Sequence, residues 1–239
     1  MFDLTFSKCP EFKIYGAEKN FKNNIEAKFF AMHIAIAGNI GAGKSTLAQK
    51  LAQHYKWEVF FESVDDNPYL SDFYENMEQW AFHLQIYFLS SRIRQVIEIQ
   101  AARNTIVQDR TIYEDAVIFA KNLHASGHIN TRDYANYLKL YETMTDFIKP
   151  PDLLIYLKAG MPTLVERIQK RGRDFENNIK LDYLKKLGES YDEWISGYNK
   201  GKLLVINADN LDFVANPEDL GKVIEKVDAE LFGIFSDKR

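Results

Sequence analysis

The chain has 239 residues, 46% of them hydrophobic, which is enough for one substantial core and too few for two independent enzymatic domains. A net charge of −4 gives no global basic field for a nucleic-acid backbone, so free nucleotides and nucleosides are better partners than polymers. The single cysteine, Cys9, cannot form an internal disulfide and suits a reducing cytoplasm, and no apolar run approaches the roughly 18 to 20 residues that span a bilayer, so no membrane partner is expected.

Residues 1 to 31 show no clear period and mix phenylalanines (Phe2, Phe6, Phe12) with lysines and acids. They contain no arginine but do contain Asp3, Glu11, Glu18 and Glu26, the reverse of a mitochondrial presequence, and no basic stretch leads into an apolar one. They are expected to be an N-terminal extension, either peripheral or upstream of a natural start at Met32, ahead of one domain over 32–239. Directly after Met32, the apolar run His33 to Ala37 leads into Gly38-Asn39-Ile40-Gly41-Ala42-Gly43-Lys44-Ser45-Thr46, the pattern G-x-x-x-x-G-K-S. Its glycines let the backbone turn tightly, so that successive N–H groups surround a phosphate, and Leu47, Leu51 and Tyr55 follow at helical spacing. Lys44 can reach the β and γ phosphates, and the Ser45 hydroxyl is placed to ligate the Mg²⁺ that accompanies a nucleoside triphosphate. Strand, loop and amphipathic helix in that order distinguish the motif from an incidental glycine-rich turn.

Trp57 to Glu62 reads as a buried strand ending in a carboxylate, and the polar loop Asp65-Asp66-Asn67-Pro68 follows it. A helical turn is expected over Tyr69 to Tyr74, and then a long helix from about Glu78 to Ala102, apolar over most of its circumference. Thr105 to Gln108 is the third strand and ends in Asp109-Arg110. Helical spacing covers Tyr113 to Ala125 and Asn130 to Ile148, with Pro150-Pro151 as the stop. Leu153 to Leu157 is the fourth strand. A helix from Pro162 runs into Lys170-Arg171-Gly172-Arg173, another covers Leu181 to Ile195, Leu203 to Ile206 is the fifth strand, and the last helix begins near Pro217. Short apolar strands alternating with helices predict an α/β fold, a five-stranded parallel sheet flanked by helices. Ligands in such sheets bind beyond the carboxyl ends of the strands, the edge shared by Glu62, Asp109, Arg110 and the glycine loop.

Glu62 has the placement of a general base, ionised at neutral pH and kept so by a nearby arginine, or of a strand-end carboxylate that caps the next segment. Asp109 stands where phosphate-loop enzymes hold their metal, or serves as a helix N-terminal acid. Gln85 and Arg92, seven apart on an apolar helix, share one face, with Phe88 between them. Such residues need satisfying when buried: Asp115 could orient Arg92, Gln85 could read a base edge, and Phe88 and Phe119 could flank its flat face, unless the set is only a polar network in the core. Arg167, Arg171 and Arg173 are phosphate-clamp candidates, or a solvated basic face.

Several segments together resemble the deoxynucleoside kinase family, particularly its bacterial deoxyadenosine/deoxyguanosine kinase branch. They are GNIGAGKST at 38 to 46, ESVDDNPYL at 62 to 70, FYEN at 73 to 76, WAFHLQIYFL at 80 to 89, DRTIYED at 109 to 115 and RIQKRGRDFE at 167 to 176. The resemblance implies a phosphate-loop nucleoside kinase fold with an arginine-rich lid, ATP as donor, Mg²⁺, and a homodimer. It implies that Glu62 takes the proton from the nucleoside 5′-hydroxyl while Arg110 holds it ionised, and that Tyr74 and Glu176 bind the sugar 3′-hydroxyl. It further implies that Gln85, Arg92 and Asp115 read the nucleobase, that Arg167, Arg171 and Arg173 close over the donor phosphates, and that Asp212 and Phe213 lie near the donor base. The chain departs from many relatives in Ser63, where proline is common, and in Asp109, where glutamate is common. An acceptor carboxylate at Asp115 favours a base with an exocyclic amine and so points away from thymidine; the bacterial branch that the chain resembles implies deoxyadenosine first, then deoxyguanosine, then deoxycytidine. A nucleoside monophosphate kinase is the nearest rival, although its phosphate acceptor needs no base. A GTP switch module would need N-K-x-D, and here Asn199-Lys200 is followed by Gly201-Lys202.

Overall fold

Along β1 (His33–Gly38) successive side chains alternate between faces: Ile34 and Ile36 enter one apolar cluster, Ala35 and Ala37 another. The computed structural model describes residues 31–62, 64 and 66–233; nearly all of the expected extension, with Cys9, lies outside the described residues, as do Ser63 and Asp65. Among the described residues five strands, β1, β2 (Glu58–Phe60), β3 (Ile106–Asp109), β4 (Leu153–Lys158) and β5 (Lys202–Asn207), pair in parallel in the order β2-β3-β1-β4-β5. This is the α/β architecture that the alternation of strands and helices predicts. On the face of Ile34 and Ile36 pack Leu47 and Leu51 of α1 (Lys44–Tyr55), Leu164 of α7 (Met161–Arg171) and Val223 of α9 (Pro217–Phe232). On the other face are Leu84 of α3 (Met77–Ala101) and Leu187 of α8 (Leu181–Ser196). The chain also forms α2 (Leu70–Glu75), α4 (Ile112–Glu114), α5 (Lys121–Ala125) and α6 (Thr131–Thr145).

Register fixes where the functional edge falls. Ile36 stands opposite Asp109 and Gly38 opposite Leu157, so β3 ends beside the start of the phosphate loop. Two expectations need correction. The second strand is not a buried strand over 57–62. Among the described residues only Glu58–Phe60 pairs, on one side and with β3 alone, and as an edge strand it leaves Phe61 and Glu62 beyond the ladder, with Phe61 44% exposed. The helix expected over 113–125 is not uniformly α. After α4, Asp115–Ala120 forms a π-helical segment before α5 resumes the ordinary spacing. Such wider turns concentrate at functional sites because the extra residue re-aims neighbouring side chains, and this one carries both Asp115 and Phe119. Among the described residues no helix is long and apolar enough to cross a membrane.

Candidate active site

The phosphate loop shows why glycine is required at two of its positions. Gly41 lies at φ 85, where a Cβ would stand 2.8 Å from the Leu164 carbonyl oxygen, and Gly43 lies at φ 98, with the Phe213 ring 3.1 Å from any Cβ. Asn39 anchors the loop to α8, its side-chain amide donating to the Leu184 carbonyl at 2.9 Å and its Oδ1 accepting from Ile40 N at 2.8 Å. Lys44 is buried, and its Nζ donates to the Asn39 carbonyl at 3.1 Å. Burial, with Arg110 nearby, pulls its pKa down to about 8. The Ser45 hydroxyl donates to Asp109 Oδ2, while buried Asp109 Oδ1 has no hydrogen-bond partner among the described residues.

Glu62 sits past the end of β2 with its side chain 18% exposed. Arg92 Nη2 donates to its Oε1 at 3.1 Å, and Arg110 Nε forms an ion pair with the same oxygen at 2.8 Å. Burial alone would raise this carboxyl's pKa, but the charges of Arg110, Arg92 and Lys44 outweigh it and hold the group below its ordinary value. An ionised carboxylate on the cavity wall is therefore the resting state at neutral pH. Arg110 has a left-handed backbone at φ 71, a conformation that costs a non-glycine residue about 1–3 kcal/mol.

Glu62 faces a cavity of about 250 Å³ that also receives Lys44, Ser45, Asp109 and Arg110. Gln85, Phe88, Asp115 and Phe119 line it, as do Tyr74, Arg171, Arg173 and Glu176. Gln85 and Asp115 are both buried, and neither Gln85 Oε1 nor Asp115 Oδ2 accepts a hydrogen bond among the described residues. Burial raises the Asp115 pKa to about 7 against the opposing pull of Arg92. The Phe119 ring lies 4.6 Å from the Arg110 guanidinium carbon, and the Tyr74 ring stacks on Phe175 at 6.0 Å. Arg171 Nε donates to Glu176 Oε2 at 3.0 Å, and Arg173 Nη1 is 3.8 Å from Glu176 Oε1, so the two arginines expected in a lid both lie against the carboxylate expected at the sugar.

Other expected site residues stand elsewhere. Arg92 is buried behind the cavity wall rather than on it, its Nη1 donating to the Asp109 carbonyl at 3.1 Å and its Nε 3.5 Å from Asp115 Oδ2. Arg167 is not a free clamp: its guanidinium donates to the carbonyls of Ala42, Ala208 and Leu211 at 2.9, 2.7 and 3.0 Å, which ties the phosphate loop to the chain after β5. Phe213 is buried in the core below Gly43, and Asp212 Oδ1 accepts from the amides of Val214 and Ala215, so both brace this segment and neither lines the cavity. Sequence reasoning missed Tyr183, which lines the cavity, and the wholly buried pair Glu114 and Tyr191 beside Arg110. One signal was available: Thr111-x-x-Glu114 is a capping box, and the structure contains both of its hydrogen bonds.

Comparison with known proteins gives a consistent result. The family model described as deoxynucleoside kinase matches residues 34–232. The chain is 42% identical over 203 residues to the deoxyadenosine kinase of Dictyostelium discoideum, covering 84% of this chain and 82% of that protein. It is 38% identical over 196 residues to the deoxyadenosine/deoxycytidine kinase of Bacillus subtilis, covering 81% of this chain and 90% of that protein. The structure of deoxyadenosine kinase from M. mycoides with bound dATP superposes with a TM-score of 0.74 at 30% identity, covering 82% of this chain and 99% of that one.

Proposed function

The chain belongs to the deoxynucleoside kinase family, and from that premise we propose that it transfers the γ-phosphoryl group of ATP to the 5′-hydroxyl of a purine deoxynucleoside, deoxyadenosine first and deoxyguanosine second. The observation that carries the proposal is the ionised Glu62 carboxylate, held by Arg110 and Arg92 on the wall of the cavity that receives Lys44. Glu62 takes the proton of the 5′-hydroxyl. The O5′–P bond forms as the bond from the γ-phosphorus to its bridging oxygen breaks, and the electron pair leaves with ADP. The phosphate loop and Lys44 hold the donor, while Arg171 and Arg173 supply cations to the transferring group.

Ser45 and Asp109 fit a Mg²⁺ ion, since the orphaned Asp109 Oδ1 needs a partner and Mg²⁺ in such sites takes one or two protein oxygens besides phosphates and water. When bound, that ion neutralises charge on the donor phosphates. Tyr74 and Glu176 take the sugar 3′-hydroxyl. Gln85 Oε1 and Asp115 Oδ2, two buried acceptors without hydrogen-bonded partners among the described residues, suit an exocyclic amine, with Phe88 and Phe119 against the flat base and Arg92 steadying Asp115. Cytosine also carries such an amine, and one relative is named for deoxycytidine as well, so deoxycytidine is the alternative acceptor. Residues 32–239 form the catalytic unit of this proposal, which works as a homodimer in the cytoplasm, where ATP is plentiful; light scattering on the purified protein tests the dimer.

The deciding assay offers ATP and equal concentrations of the four deoxynucleosides to the purified protein. Deoxyadenosine monophosphate is expected as the main product, and a preference for thymidine would overturn the role given to Asp115.

A further inference from the structure

Two buried polar residues take no part in the chemistry described above. Glu114 is 0% exposed, which for a carboxylate is tolerable only when its oxygens are fully engaged. Its Oε2 accepts from Thr111 N at 2.7 Å, closing the capping box of α4. That task needs only one oxygen, and capping glutamates perform it at protein surfaces. The other oxygen, Oε1, accepts from the Tyr191 hydroxyl at 2.7 Å, from Arg110 Nη1 at 3.3 Å and from Gly38 N at 3.4 Å. The Tyr191 hydroxyl in turn accepts from Arg110 Nη1 at 2.7 Å, and its ring stacks on Tyr156 of β4 at 5.7 Å. Arg110 is thus gripped at its far end by one residue from α4 and one from α8, while its Nε faces Glu62 at 2.8 Å. Its backbone is left-handed, so neither strand nor helix geometry sets the direction of its side chain.

We propose that Glu114 and Tyr191 are positioning residues for the phosphoryl transfer: they fix the Arg110 guanidinium in the orientation from which Arg110 holds Glu62 toward the acceptor hydroxyl. The proposal rests on the reading of Glu62 as the base. Because Glu114 also touches Gly38, the first residue of the phosphate loop, the same carboxylate sets the distance between the base and the donor site.

Tyr191→Phe keeps the ring and its stacking but removes the hydroxyl. Its test is a double-mutant cycle with Glu62→Gln, measured with ATP and deoxyadenosine. In the native background the substitution is expected to lower kcat about tenfold while the KM for deoxyadenosine changes less than about twofold. In the Glu62→Gln background the same substitution is expected to change the residual kcat less than about twofold, because the group it acts through is already gone. A purely structural role would produce similar losses in both backgrounds, and that result, or native kcat in Tyr191→Phe, overturns the proposal. Glu114→Gln, near-isosteric, is carried through the same cycle and read by the same criterion, so poor folding of one variant leaves the other to decide. If the native protein fails to phosphorylate any deoxynucleoside, the kinase reading itself falls; if it is active and both cycles are additive, only this inference falls.

Discussion

Asp115 shows how one side chain's environment becomes measurable. Burial raises its pKa from 3.8 to about 7, so the folded protein binds its proton more tightly than the unfolded chain does. The corresponding stabilisation is fully present below about pH 3.8 and is lost as pH rises through about 7, a swing on the order of 4 kcal/mol. Asp115→Asn cannot ionise, so without ligands it is expected to melt several degrees above the native protein at pH 8, with the advantage shrinking toward pH 5. Melting curves across that range check it; a constant offset would contradict the assigned shift. At this scale the sequence was most informative for the phosphate loop, where the spacing of its glycines, Lys44 and Ser45 is matched by the loop geometry. It was least informative for Glu114, because which partner a buried charge finds depends on how α4 and α8 meet and no local pattern encodes that meeting, whereas the pairing of Arg92 with Asp115 was legible.

Element boundaries follow from what each segment packs against. The apolar run at 57–62 looks like a central strand, yet its neighbour lies on one side only, and the pairing stops at Phe60. A similar limit applies to the π-helical segment, since 3.6-residue spacing of apolar positions does not reveal one inserted residue. Helix α7 carries the clearest case of a charge with an unexpected task. Arg167 was legible as a cation near the donor, but its three carbonyl partners come from the phosphate loop and the chain after β5, distant segments that only the fold unites. Arg167→Ala removes three hydrogen bonds from a charged donor, and even one such bond is worth about 1.5–3 kcal/mol. The variant is expected to melt at least roughly 3 °C lower. It is also expected to raise the KM for ATP about tenfold while leaving that for deoxyadenosine nearly unchanged. Equal changes in both constants would show that Arg167 serves the site as a whole and not the donor side.

The whole molecule brings two separately built half-sites to one sheet edge. The phosphate loop after β1 and the carboxylate beyond β2 lie on either side of the end of β3, an order the alternating strands and helices made legible in outline. Which acceptor fits was less legible, since Asp115 and Phe119 of the cavity lining sit in the π-helical segment. A ligand present at about a hundred times its Kd stabilises by about 2.7 kcal/mol, so deoxyadenosine is expected to raise the melting temperature by roughly 5–10 °C at concentrations where thymidine gives a smaller rise. Equal shifts would remove the base preference while leaving the catalytic claim intact. That claim is met most directly by Glu62→Gln, assayed for kcat with deoxyadenosine and ATP alongside calorimetric nucleoside affinity. Nucleoside binding within a fewfold of native with kcat lowered about 10²- to 10⁴-fold is the expected result. Near-native turnover would contradict the assignment of Glu62 as the group that accepts the hydroxyl proton.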